Sequence, residues 1–152
     1  MDGGIWMVIK QLSVFLENRE GRLEKVAEAL AANQINIVSL SLADTSEYGM
    51  LRMIVSDPTT GKQILKEAGF SAMLTDVLAV KLPQKIGMLY KMLAVFGKED
   101  ISVEYMYTLA TGSEASIIVK VSEAQKALIL LQDAGFELML SEDAYKINCE
   151  RN

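Results

Sequence analysis

The chain repeats itself, and no other feature restricts its fold as much. Shifted against itself by about 66 residues, the sequence aligns two halves without a gap. Leu12, Val14 and Leu16 fall on Leu78, Val80 and Leu82, and Gly21 and Leu23 fall on Gly87 and Leu89. Val55-Ser56 falls on Val121-Ser122, and Ala68-Gly69-Phe70 on Ala134-Gly135-Phe136. About a quarter of the positions are identical in this single register, more than shared composition produces. The 152 residues therefore divide into two small domains, 1–75 and 76–152, each long enough to bury a core.

Within each half the periodicity alternates between strand and helix. Residues 10–16 alternate apolar and polar, which reads as a half-buried strand. Leu23, Val26, Ala27 and Leu30 then follow helical spacing, ending near Asn33. In the second half the stripe is Leu89, Met92, Leu93 and Phe96, with Gly97 read as the residue that stops the helix. Residues 35–43 and 49–55 read as two strands joined by the polar Asp44–Tyr48 connection. Ser56-Asp57-Pro58 places a capping side chain before a first-turn proline, and Gly69 and Gly135 stop the second helix of each half. A last strand follows from Phe70. The order strand-helix-strand-strand-helix-strand is a split βαβ. The fold class is α+β: two ferredoxin-like βαββαβ units with antiparallel four-stranded sheets and helices on one face. Residues 143–148 occupy the register of a third first strand, either extending the last strand or pairing back onto the other unit.

Composition narrows the chemistry. The chain has no His, which removes Ser-His-Asp and Cys-His nucleophile activation, imidazole base chemistry and His-containing zinc sites. A net charge of -5 opposes nucleic acid, because nothing here would neutralise a run of phosphates. Gly61-Lys62 has the end of a phosphate-loop spacing, but Ser56 stands where that loop needs glycine. Metal-ligand spacing is absent, and Glu142-Asp143 reads as solvated charges on a strand. One cysteine, no secretion signal and no membrane-length apolar run lead to an expectation of a cytoplasmic protein without membrane contact or cofactor. Nine Met and a mean hydropathy of +0.22 point to apolar surface used in a homodimer, or to Met as plain core filler.

Several stretches resemble the ACT domain, a small amino-acid-binding module. Glu17-Asn18-Arg19-Glu20-Gly21-Arg22-Leu23 followed by Val26 resembles its Pro-Gly-x-Leu-x-x-Val signature, and Ile35-Asn36-Ile37 its Ile-Asn-Ile start to strand two. Ala43 to Gly49 and Val103 to Tyr107 resemble stand-alone tandem-ACT proteins, and the resemblance spans about residues 10–147. Glu20 and Ile86 stand where the family usually carries Pro, and Ser102 where the first unit has Asn36. The resemblance implies a ligand between one unit's first loop and the strand-two edge of a neighbouring unit. It nominates Asn18, Arg19, Glu20, Gly21, Arg22 and Leu23 with Asn36 and Ile37. In the second unit it nominates Ile86, Gly87, Met88 and Leu89 with Ser102, Val103 and Tyr105. The Ser102 difference implies that the two sites are not equivalent.

The residue chemistry fits an amino acid. A helix starting at Gly21 presents backbone N–H groups and a positive dipole end to a carboxylate, and glycine lets a ligand approach the backbone. Asn36 both donates and accepts. Arg52, in an apolar central strand, pairs with Asp44 or Glu47 or with a ligand carboxylate. Plainer roles stand beside these: Asn18 as a cap, Gly21 as a turn residue, Arg19, Arg22 and Lys85 as solvated charges, and Tyr105 and Tyr107 as packing on one strand face. Tyr105, Tyr107 and Glu104 favour a ring-bearing or basic amino acid over serine. The expected function is non-catalytic: binding of a free amino acid at an interface between ACT units, with allosteric regulation of a partner enzyme in trans. The competing class is a constitutive scaffold subunit with no small-molecule ligand.

Overall fold

The computed structural model describes residues 6–17, 19–44, 47–111 and 114–147, with the backbone alone at 44, 111 and 114. Its chain forms two compact units. The first is Lys10–Thr75 with the described residues from Tyr145 onward, and the second is Asp76–Ala144 with those up to Ile9.

In the first unit the elements are β1 (Ile9–Glu17), α1 (Arg22–Ala32), β2 (Ile37–Asp44), β3 (Tyr48–Val55), α2 (Pro58–Glu67) and the start of β4 (Ser71–Leu82). β4 runs on into the second unit, followed by α3 (Met88–Lys98), β5 (Val103–Thr111), β6 (Glu114–Val121), α4 (Ala124–Asp133) and β7 (Glu137–Leu138). A short α5 (Ser141–Lys146) ends the described chain. Strand order is β2-β3-β1-β4 in the first unit and β7-β4-β6-β5 in the second. β1 and β2 both pair antiparallel with β3, and β6 and β7 both pair antiparallel with β4. This is the split βαβ twice over.

Each unit packs both helices on one sheet face. In the first, Leu12, Val14 and Leu16 of β1 and Leu51, Met53 and Val55 of β3 meet Val26 and Leu30 of α1 and Leu65 of α2. In the second, Leu78, Val80, Val119 and Val121 meet Met92, Phe96, Ala127, Leu128 and Leu131. Gly61 sits where α2 approaches the sheet: a Cβ there would lie 3.1 Å from Leu12 Cδ2. The glycine that carried a weak phosphate-loop spacing is thus a packing residue.

Four expectations change. First, β1 is not half-solvated: Gln11 and Ser13 are buried, with Gln11 Nε2 donating to Ser13 Oγ at 2.9 Å. Alternation reports polarity, whereas burial depends on what covers the second face, and the polar groups there are paired as burial requires. Second, α3 runs through Gly97 to Lys98, and Asp100 takes the left-handed backbone at φ 56°. Gln34 does the same after α1 at φ 62°. All four long helices end alike, with Ile35, Phe70, Ile101 and Phe136 donating N–H to the carbonyl five residues back. Third, residues 143–146 of the expected strand 143–148 lie in α5, and residue 148 lies outside the described residues. Glu142 and Asp143 occupy the first turn and Lys146 the last, where the helix dipole favours each sign, so this acidic pair is not on a strand. Fourth, Leu23 and Leu89 of the two helix stripes are exposed.

Candidate functional site

The loop before the first helix has the same backbone in both units. Arg19 N–H donates to Glu17 O at 2.8 Å, and Lys85 N–H to Pro83 O at 2.8 Å. Arg22 N–H meets Arg19 O at 3.4 Å, and Met88 N–H meets Lys85 O at 3.3 Å. Gly21 and Gly87 stand at the helix N-caps with φ 81° and 89°, and among the described residues no side chain bonds across either cap. A left-handed cap residue favours glycine on steric grounds, and an uncapped first turn leaves N–H groups for an anion.

Side chains then separate the two loops. The first borders a cavity of about 90 Å³ among Leu16, Glu17, Arg19, Arg22, Leu23, Leu42 and Gly49. Arg19 Nε pairs with Glu17 Oε2 at 2.9 Å, both largely exposed, so the pair contributes little stability. The Arg22 guanidinium lies over the Phe70 ring, Cζ 4.3 Å from its centre, and Arg22 Nε is buried without a hydrogen-bond partner among the described residues. Glu20 is exposed, and Asn18 lies outside the described residues.

The second loop borders more space. A cavity of about 440 Å³ lies among residues 82–86, Met88 and Leu89 and against Ala115 and Ile117. A second, of about 270 Å³, shares Leu82, Pro83, Gln84, Met88 and Ala115 with it and extends to Lys81, Gly135, Phe136 and Glu137. Ile86 is fully exposed, and Leu89 is partly so. Met88 and Phe136 hold the repeat positions of Arg22 and Phe70. The second cavity is thus bordered by the two residues that stand at the repeat positions of the first unit's cation and ring.

The strand-two residues lie elsewhere in their own units. Gly21 caps the start of α1 and Asn36 follows its end, and 11 helical residues separate such points by about 16 Å. Asn36 is exposed; its backbone exchanges two bonds with Ser56, from Asn36 N–H to Ser56 Oγ at 2.9 Å and from Ser56 N–H to Asn36 O at 2.9 Å. Ser102 and Ser122 repeat this at 3.1 and 3.0 Å. Ile37 and Val103 begin β2 and β5 and pack against their cores, each followed by a register shift that displaces the next residue. Tyr105 faces Lys120 in the β5–β6 register, and Glu104 Oε2 pairs with Lys120 Nζ at 3.2 Å. Arg52 is central as expected, opposite Ser13 and Ser41, and does not line the first-loop cavity. Within either unit, then, the loop residues come together and the nominated residues Asn36, Ile37, Ser102, Val103 and Tyr105 do not line their cavities. Sequence reasoning missed Pro83, Gln84, Phe136 and Glu137; the aligned Gly-Phe after the second helix of each unit was the available signal.

Among the described residues no group of three or more His, Cys, Asp or Glu is placed to hold a metal ion, and no helix is long and apolar enough to cross a membrane.

Solved structures share this architecture. Protein BT0572 from Bacteroides thetaiotaomicron is 38% identical, with a TM-score of 0.87, covering 92% of this chain and 97% of that one. The ligand-free regulatory subunit of aspartate kinase from Thermus thermophilus is 19% identical, with a TM-score of 0.60 and coverage of 86% and 95%. The corresponding subunit from Thermus flavus is 21% identical, with a TM-score of 0.54 and coverage of 83% and 93%. At those identities the two kinase subunits show a common fold and no more. None of the curated proteins matches. Residues 7–148 match the family described as an ACT domain pair, and the chain belongs to that family.

Proposed function

We propose that this protein is a non-catalytic regulator that binds a free amino acid at an interface between ACT units and transmits occupancy to a partner enzyme of amino-acid metabolism. The observation that carries the reading is the twice-built loop: a left-handed glycine at an uncapped helix start, with a cavity beside it. Such a loop seats a carboxylate, and the adjoining cavity takes a side chain. Because Asn36 and Ser102 lie beyond the far ends of their own helices, they reach a ligand only from a neighbouring unit or copy. Proteins of this fold serve as regulatory subunits of aspartate kinase, which makes an enzyme handling amino acids the fitting partner class. Exposed Leu40 and Leu42 on edge strand β2 suit a homodimer. Occupancy signals only if the bound arrangement differs in affinity for the partner.

The test is a thermal-shift screen of the twenty amino acids. A concentration-dependent rise in melting temperature with one ligand or one chemical class is expected, since binding to the native state stabilises it by mass action. Twenty flat curves would overturn the reading in favour of a scaffold subunit without a ligand.

A further inference from the structure

We propose that the second unit's first loop takes an amino acid with a cationic side chain, the cation seated over the ring of Phe136. This rests on the amino-acid reading and names the ligand class. The first unit shows what the equivalent place accepts, because there Arg22 holds its guanidinium 4.3 Å from the centre of the Phe70 ring. In the second unit Met88 replaces the arginine, Phe136 keeps the ring, and about 270 Å³ of space adjoins both. A cation over an aromatic face is attracted by the ring quadrupole. Glu137 borders the same cavity, and its Oε2 lies 3.5 Å from Lys81 Nζ. Glu137 is largely exposed and Lys81 is half-buried, so solvent on the carboxylate weakens the pair and a ligand cation can take the place of Lys81 there. Leu82, Pro83 and Met88 line both cavities and supply apolar walls for an aliphatic stem. The stem would connect the cation to an α-carboxylate at the Gly87 helix start. The first unit has no such vacancy for a foreign cation, since Arg22 already covers Phe70.

Calorimetric titration with L-arginine, and with L-citrulline as its neutral isostere, tests the assignment. Arginine is expected to bind at least about tenfold more tightly than citrulline, the scale of one charge-assisted contact. Met88→Arg, which supplies the first unit's own cation, should abolish arginine binding with the melting transition retained, whereas Met88→Leu should keep it. Glu137→Gln should remove most of the arginine–citrulline difference, and Lys81→Met should tighten arginine binding by removing a competing cation. Equal affinity for citrulline, undiminished arginine binding in Met88→Arg, or weaker binding in Lys81→Met would overturn the proposal. Binding of neutral amino acids with arginine and lysine silent would overturn it and leave the amino-acid reading standing. Silence from all twenty would overturn both.

Discussion

Arg22 and Phe70 stack cation on ring, with Cζ 4.3 Å from the centroid, joining the start of α1 to the residue that follows α2. Met88 and Phe136 hold the corresponding positions in the second unit, without a charge, and both line a cavity. Arg22 against Met88 is one of five differences between residues 17–23 and 83–89, and it is the one that changes what stands beside the ring.

Replacing Arg22 by Met should change stability by less than about 1 kcal/mol, because two terms oppose each other. The cation–π contact contributes on the order of 0.5–1 kcal/mol, while the buried Nε, without a partner among the described residues, is a cost that Met removes. Arg22→Ala also strips the packed stem and should lose about 1–2 kcal/mol. Urea unfolding of the two variants measures this, and a loss in Arg22→Met as large as in Arg22→Ala would contradict it.

Gly87→Val should abolish the amino-acid response of the second unit while the fold survives. Nothing lies within 4 Å of an added Cβ, so the cost comes from φ 89° and amounts to about 1–2 kcal/mol. The branched side chain would stand at the helix N-terminus where the ligand carboxylate is seated. Circular dichroism and titration on the same sample separate the two effects, and unchanged affinity would remove Gly87 from the site.

Glycines at and near the helix ends should respond with opposite signs. Gly97 is inside α3 with open space around it, so Gly97→Ala should stabilise by about 0.5–1 kcal/mol. Gly135, at φ 91°, ends α4, and Gly135→Ala should destabilise by about 1 kcal/mol. Gln34 holds the same left-handed position after α1, so Gln34→Gly should stabilise by a similar amount. Thermal melts of the three variants check the signs together.

Gly61→Val should destabilise the first unit by about 1–3 kcal/mol through overpacking. A Cβ there already approaches Leu12 Cδ2 to 3.1 Å, and Leu30 Cδ2 and Val55 Cγ2 stand close behind. The twin position in the second unit is Ala127, which is fully buried, so one methyl is accommodated there. Gly61→Ala in parallel would show whether Leu12 can give way, with chemical unfolding as the readout.

Much of the fold was legible because it is written in local terms. Leu12, Val14 and Leu16 alternate, Val26 and Leu30 keep helical spacing, and Asp57 caps α2 by accepting from Thr60 N–H at 3.2 Å. The site was legible in part. Gly21 and Gly87 stand out because a left-handed helix cap needs glycine, and Leu23 and Leu89 looked like core because they obey the stripe. Both are exposed and line cavities instead, Leu23 beside Leu16, Leu42 and Gly49, and Leu89 beside Ala115 and Ile117.

The sequence by itself determined the doubled βαββαβ order, the strand and helix identities and the two glycine-capped loops, all consequences of short-range periodicity and backbone sterics. Only the tertiary structure decided that Gln11 and Ser13 are buried, that Gly97 continues a helix, and that the two loops differ in what fills them. Those outcomes depend on side chains brought in from distant segments, as Phe70 is to Arg22 and Phe136 to the Met88 cavity. A period measures which residues share a face; the space left beside them depends on the volumes of residues that meet only when the chain has folded.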